Sequence, residues 1–183
     1  NPKILLGYSD ITSLLNAVFA KTGLITFHGP NVMSRWNDFT HQGMRRVLFE
    51  ARAEVYENPV IVDDDLVARD HRIQTITSGV AEGPLIGGNL TLMSALLGSP
   101  YLPSFSGAIL FLEDVGEAIY RVDRMLTQLS LSGELRQVSG IIFGHFTRVE
   151  PNPGLGTFAL MDILKQNCEP MRVPCYFGAK IGH

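Results

Sequence analysis

The stretch from residue 108 to residue 146 constrains the fold more than any other. Residues 108–114 (AILFLED) are apolar until the last two positions, and residues 140–146 (GIIFGHF) are apolar in the same way. Neither run alternates polar with apolar residues, so neither offers a solvent face. Short runs of this kind are strands buried on both sides. Between them, residues 117–133 (EAIYRVDRMLTQLSLSG) place Ile119, Val122, Leu126 and Leu129 on one helical face. Buried strands separated by amphipathic helices define the α/β class.

The start of the chain repeats this pattern. Residues 3–7 (KILLG) read as a strand entering a Gly-Tyr-Ser-Asp turn, residues 11–23 (ITSLLNAVFAKTG) as a helix stopped by Gly23, and residues 24–30 (LITFHGP) as a second strand, parallel to the first. Residues 31–52 are looser, with Trp36, Phe39, Met44, Val47 and Leu48, and turn helical near their end. Residues 53–70 mix Pro59, three consecutive Asp and short apolar pairs, and read as a linker. Residues 72–88 (RIQTITSGVAEGPLIGG) alternate as one strand with an exposed face. Asn89 opens a helix closed by Gly98, residues 156–167 form another helix, and residues 173–180 a last strand. The predicted organisation is a partial N-terminal α/β domain over 1–52, a linker over 53–70, and a smaller mixed α/β domain over 71–183.

Several function classes drop out on composition. Of 183 residues, 45% are hydrophobic and 18% charged, with a net charge of −3, so a core can form and no basic stripe marks a nucleic-acid binder. No apolar run approaches the roughly 18 residues of a membrane span. Cys168 and Cys175 are too few for a disulfide scaffold, and neither Cys nor His spacing suggests a zinc site, so no metal is expected. The chain opens on Asn-Pro-Lys directly before a strand, which reads as a cut inside a longer protein.

Candidate chemistry lies at strand ends, because ligands of open α/β sheets bind beyond the carboxyl ends of the strands. The Gly7-Tyr8-Ser9-Asp10 turn partly fits a nucleophile elbow, G-x-S-x-G, with Ile11 in place of the last Gly. The plainer reading is that Ser9 or Asp10 caps the next helix. Glu113, closing a buried strand, can orient a histidine or cap a helix. His183, after a strand, can act as a base or serve structure, and His28 and His145 invite the same two readings. Gly87-Gly88-Asn89 offers backbone N–H groups to a carboxylate or oxyanion, or forms an ordinary turn and cap.

Taken together, PKILLGYSDITSLL, TFHGP, GGNLTLMSALLGSPY, ILFLEDVGEAIYRVDRMLTQL, GIIFGHF and the terminal Gly-His resemble the LD-carboxypeptidase family, which includes the microcin self-immunity peptidases. The stretches are collinear and touch most of the chain. The resemblance implies a flavodoxin-like N-terminal domain, here a remnant, joined to the smaller mixed domain. It implies a Ser-His-Glu triad acting in the cytoplasm on murein peptides, without metal or cofactor, and a homodimer. Glu113 matches the triad acid and His183 the triad base, with Asp114 and Glu117 as neighbouring alternatives. Asn89, with Gly88, matches the substrate pocket. The resemblance further places the nucleophilic serine before residue 1, with Ser9 at a non-nucleophilic position. On that expectation these 183 residues alone are inactive. Two rivals are a microcin-type peptidase cleaving a peptidyl-nucleotide, with Trp36 as a base platform, and a non-catalytic peptide-binding module.

Overall fold

A computed structural model describes residues 3–52, 55–59, 72–149 and 158–183. The linker expected over 53–70 therefore lies outside the described residues, apart from 55–59. The described residues form a mixed α/β structure with two sheets. The first is small and parallel: β1 (Leu6–Gly7) pairs with β2 (Phe27–His28), and α1 (Ile11–Thr22) crosses between them. Both strands are shorter than the apolar runs that announce them. The helix stops as predicted, at Gly23 with φ 70°, whose N–H returns to the Phe19 carbonyl. A short helix, α2 (Asp38–Met44), capped by the Asn37 side chain, runs into one π-helical turn at Arg45–Phe49.

The second sheet has five strands in the order β3-β7-β6-β5-β4. Its parallel centre is β4 (Leu85–Asn89), β5 (Ile109–Val115), β6 (Gly140–Thr147) and β7 (Cys175–Phe177), and β3 (Gln74–Thr77) adds an antiparallel edge. The continuous strand expected over 72–88 is split. Its two halves, β3 and β4, lie on opposite edges of the sheet. The break spans 78–84, where Gly79 takes φ 149°, a Cβ on Gly83 would fall 2.0 Å from the Gly107 carbonyl oxygen, and Pro84 lacks an N–H. Alternation alone could not see this, because both halves keep the same period.

The helices α3 (Leu90–Ala95), α4 (Ile119–Leu131) and α5 (Leu160–Cys168) pack against this sheet. The face predicted for α4 is the buried one: Ile119, Val122, Leu126 and Leu129 join Leu110, Leu112, Phe143 and Ile141 in one core. Each fully buried aliphatic side chain contributes about 1.5–3 kcal/mol. The even-numbered residues of β5 face α3 and α4, so the odd-numbered Phe111 and Glu113 face the opposite side, toward β2 and the carboxy-terminal loop. That alternation sends one acid of the Glu113-Asp114 pair to each side of the sheet.

Candidate active site

Glu113 and His183, seventy positions apart in sequence, meet at the carboxyl end of β5. The His183 ring Nδ1 lies 2.8 Å from Glu113 Oε2, and the His183 backbone N–H donates to the same oxygen at 3.1 Å. The Glu113 side chain is 0% exposed and that of His183 is 18% exposed. The acid is thus sealed from water while the imidazole remains reachable. A carboxylate buried this deeply requires hydrogen-bond donors or a charge partner. With Nδ1–H donating, Nε2 of His183 is the basic nitrogen.

Backbone devices make room for this pair. Where Glu113 lies, the β5–β6 register slips: Leu112 faces Phe143 while Asp114 faces Phe146, so β6 carries one extra residue there. Such bulges re-aim side chains beside functional sites. Gly144, in the slipped segment, leaves space filled by Ile181, since a Cβ there would fall 2.6 Å from Ile181 Cγ1. Gly182, at φ 79°, leaves space for the carboxylate itself, because its Cβ would lie 2.3 Å from Glu113 Cδ. The loop carrying His183 is tied down by the N–H groups of Gly178 and Ala179, both donating to the Phe143 carbonyl. It is also clamped by Asn58, which donates to the Gly178 carbonyl at 2.6 Å and accepts from the Lys180 N–H at 2.9 Å.

Ser9 occupies the turn between β1 and α1 with φ 60°, a left-handed conformation uncommon for a residue with a Cβ. Capping does not explain it. Asp10 stands at the N-cap position without a side-chain cap bond, and the Ser9 carbonyl receives the Thr12 N–H. This corrects the capping expectation for both residues: a helical Asp10, at φ −54° and ψ −29°, lacks the extended backbone that a capping side chain uses. The preceding Tyr8 sets its ring edge-to-face on the His183 imidazole, with centroids 4.8 Å apart. A Cβ on Gly7 would collide with Ile11 at 2.6 Å, so the tight strand-to-helix approach that an elbow needs is provided before the serine rather than after it.

A polar seam holds this turn's helix to the second sheet. Asn16 donates to the Gly87 carbonyl at 3.0 Å, and the Asn89 N–H donates to Thr12 Oγ1 at 3.1 Å. Gly87 and Gly88 are strand residues, not a turn, and a Cβ on Gly88 would sit 2.5 Å from Thr12 Cγ2. Nothing in the local sequence marks Thr12 and Asn16 as site residues. The available signal is a pair of polar residues four apart, and so on one face of the helix. Asn89 caps α3, its Oδ1 accepting from the Leu92 N–H while its Nδ2 donates to Asp114 Oδ1 at 2.9 Å. Asp114 also accepts from the Thr91 N–H and hydroxyl and from the Val115 N–H. Of the neighbouring acids, Asp114 anchors α3 and Glu117 pairs with Arg121 at 3.5 Å, which leaves Glu113 as the one facing His183.

His28, at the end of β2, lies on the other flank of Glu113, with Nε2 4.0 Å from Oε1. Burial, and next the nearby His183, lower its pKa from 6.5 to about 4. His145 packs its ring against Phe177, with centroids 6.1 Å apart. Among the described residues no three His, Cys, Asp or Glu side chains converge as a metal site, and no helix is long and apolar enough to cross a membrane.

Known proteins share this sequence and fold. Residues 82–183 match the LD-carboxypeptidase C-terminal domain and residues 1–29 the LD-carboxypeptidase N-terminal domain. A probable murein peptide carboxypeptidase of Bacillus subtilis (strain 168) is 35% identical over 187 aligned residues, covering 100% of this chain and 56% of its own length. The crystal structure of a muramoyltetrapeptide carboxypeptidase from Oxalobacter formigenes superposes with a TM-score of 0.75 at 29% identity, over 99% of this chain and 59% of that one. The microcin C7 self-immunity protein MccF superposes with a TM-score of 0.80 at 29% identity, over 100% of this chain and 60% of that one. The MccF structure is of an active-site mutant with a serine, an asparagine and a lysine replaced by alanine. The chain spans a little over half the length of these relatives. On these matches, the chain belongs to the LD-carboxypeptidase family.

Proposed function

We propose that the whole protein is a serine-type LD-carboxypeptidase that releases the terminal D-alanine from murein tetrapeptides in cell-wall recycling, with Glu113 as the acid and His183 as the base. The single observation that carries this reading is the 2.8 Å contact between a reachable imidazole and a sealed carboxylate. Such a pair fixes the tautomer of the base and offsets the charge that develops on it.

The nucleophile is assigned to Ser9, in place of the earlier segment that the sequence resemblance pointed to. Its left-handed backbone at a strand-to-helix turn supports this, since the elbow strains its serine to expose the hydroxyl. So does its position next to Tyr8, whose ring rests on His183. In the proposed reaction, Ser9 Oγ attacks the carbonyl carbon of the L,D amide as His183 Nε2 takes the hydroxyl proton. The carbon–nitrogen bond then breaks, and the proton passes to the departing D-alanine amine. Water then attacks the acyl carbon as His183 takes its proton, the ester bond to Ser9 Oγ breaks, and His183 returns the proton to Ser9 Oγ. The Asp10 N–H, following the serine at the positive end of α1, is the assigned oxyanion donor. Gly88 and Asn89 remain the assigned substrate-binding residues. Their closeness to Thr12, three residues after Ser9, supports this.

The test is D-alanine release from a murein tetrapeptide by the full-length protein. Ser9→Ala, Glu113→Gln and His183→Ala are each expected to lower kcat by about 10³-fold or more. Near-wild-type turnover of the Glu113 and His183 variants would reject the triad. Turnover by Ser9→Ala alone would return the nucleophile to a preceding segment. The reading also carries a cytoplasmic location and a homodimer seated on exposed apolar residues such as Tyr120 and Phe158.

A second reading is favoured by one observation. Trp36 is 44% exposed, with its indole N–H held by the Asn31 carbonyl at 3.2 Å, so its ring is fixed yet open to stacking. That suits a peptidyl-nucleotide substrate. Assaying a murein tetrapeptide and an aminoacyl sulfamoyl nucleoside on one preparation separates the two readings, and turnover of neither returns the protein to a peptide-binding module.

A further inference from the structure

We propose that His28 is a positioning residue for the triad acid: as a neutral imidazole protonated at Nε2, it donates to Glu113 Oε1 and holds the carboxylate in the plane that His183 needs. The proposal rests on the triad reading for its catalytic consequence, and on geometry alone for the pair itself.

Three observations meet at this point. Glu113 is fully buried, and both donors from His183 fall on Oε2, so Oε1 has no hydrogen-bond partner among the described residues. His28, its side chain 10% exposed, has neither ring nitrogen partnered among the described residues. The two unsatisfied groups face each other, with Nε2 4.0 Å from Oε1. A buried carboxylate oxygen and a buried imidazole each lose free energy when left without a partner. Closing the remaining gap satisfies both. The edge-to-face contact of His28 with Phe111, centroids 5.1 Å apart, holds the ring against the same strand that presents Glu113.

Charge decides which form of His28 serves. A protonated His28 would compete with the imidazolium of His183 for one carboxylate. Burial and the nearby His183 hold His28 at a pKa of about 4, so at neutral pH it is an uncharged donor. The two histidines thus divide one carboxylate, one oxygen each. His28 joins the small first sheet to the acid of the second, because it sits on β2 and Glu113 on β5.

The first measurement needs neither substrate nor mutation. Long-range proton–nitrogen correlation spectra of the full-length protein at pH 7 are expected to show His28 neutral, with Nε2 protonated and Nδ1 bare. The Nδ1–H tautomer, or a charged His28, overturns the proposal. The second compares His28→Phe, which keeps a ring against Phe111 but cannot donate, with His28→Gln, which can. We expect kcat for D-alanine release to fall about 10- to 100-fold in the phenylalanine variant with little change in KM, and the glutamine variant to recover most of it. Wild-type kcat in His28→Phe, or equal impairment of both variants, overturns the role. If the wild-type protein releases no D-alanine, the proposed function fails, and the tautomer still decides the pairing.

Discussion

Glu113 Oε2 receives both the ring Nδ1 and the backbone N–H of His183, at 2.8 and 3.1 Å. One oxygen therefore holds both the imidazole and the loop that carries it. Glu113→Gln keeps the shape and removes the charge. An acid-to-amide change in a serine triad costs about 10⁴-fold in kcat. Glu113→Asp keeps the charge but withdraws it by one methylene, past hydrogen-bonding reach of a tethered ring. Steady-state D-alanine release should show both variants impaired in kcat with KM little altered, and restored activity in Glu113→Asp would show that the loop follows the carboxylate inward.

Gly182 tests the same contact from the backbone side. A methyl group there would overlap the Glu113 carboxylate at 2.3 Å, on a backbone at φ 79° that disfavours any side chain. Glu113 is fully buried rather than the free end of a surface chain, so the loop must lift. Gly182→Ala is expected to lose about 1–3 kcal/mol of stability and most of the activity. Urea unfolding gives the first quantity. An alanine variant as stable and active as the wild type would mean that the loop does not lie over the acid.

Ser9 is held at φ 60°, where an L-residue costs roughly 1–2 kcal/mol relative to its relaxed state. If that strain presents a nucleophile, relieving it separates stability from function. Ser9→Gly is expected to be more stable than Ser9→Ala by about 1 kcal/mol, with both inactive. Paired denaturation curves read the difference directly, and equal midpoints for the two variants would remove the case for stored strain.

Parts of this site were legible in the sequence, for physical reasons that differ by residue. Glu113 stood out because an acid ending a wholly apolar run has few bland explanations, and the α4 face was plain from its 3.6-residue period. Ser9 fits an elbow and a cap alike in sequence, and its left-handed backbone is the observation that weighs against the cap. Capping and elbow turns use the same residue types, and only the sign of φ separates them. The split of 72–88 into opposite sheet edges was invisible, because strand period carries no information on strand order. His28, Thr12 and Asn16 act through partners on other elements, seventy or more positions away for the last two, and no local pattern encodes such pairings.

The seam between α1 and β4 makes a further claim about coupling. Gly88 has no room for a Cβ, which would lie 2.5 Å from Thr12 Cγ2, and Thr12 Oγ1 accepts the Asn89 N–H. Gly88→Ala should push α1, and with it Ser9, off the second sheet at a cost of about 1–3 kcal/mol. Thr12→Ala alone should cost about 1 kcal/mol through the lost hydrogen bond. Because the alanine methyl would fill the space vacated at Thr12, the double variant should be more stable than the sum of the two losses by about 1 kcal/mol. Strict additivity in a double-mutant cycle would mean that the two residues do not touch.

His28 gives the protein a specific acid sensitivity. Its pKa is about 4 in the folded state against 6.5 for an ordinary histidine, so the unfolded chain takes up a proton over a range in which the folded protein does not. Stability from this group is complete above pH 6.5 and is lost progressively as the pH falls toward 4. The full difference is on the order of 3 kcal/mol. His28→Gln lacks the titrating group, so between pH 7 and 4.5 its unfolding free energy should fall less steeply than that of the wild type. The difference between the two slopes, measured by urea titration at closely spaced pH values, removes the contribution of every carboxylate remote from His28. Parallel curves would mean that His28 is protonated as readily in the folded protein as in the unfolded chain.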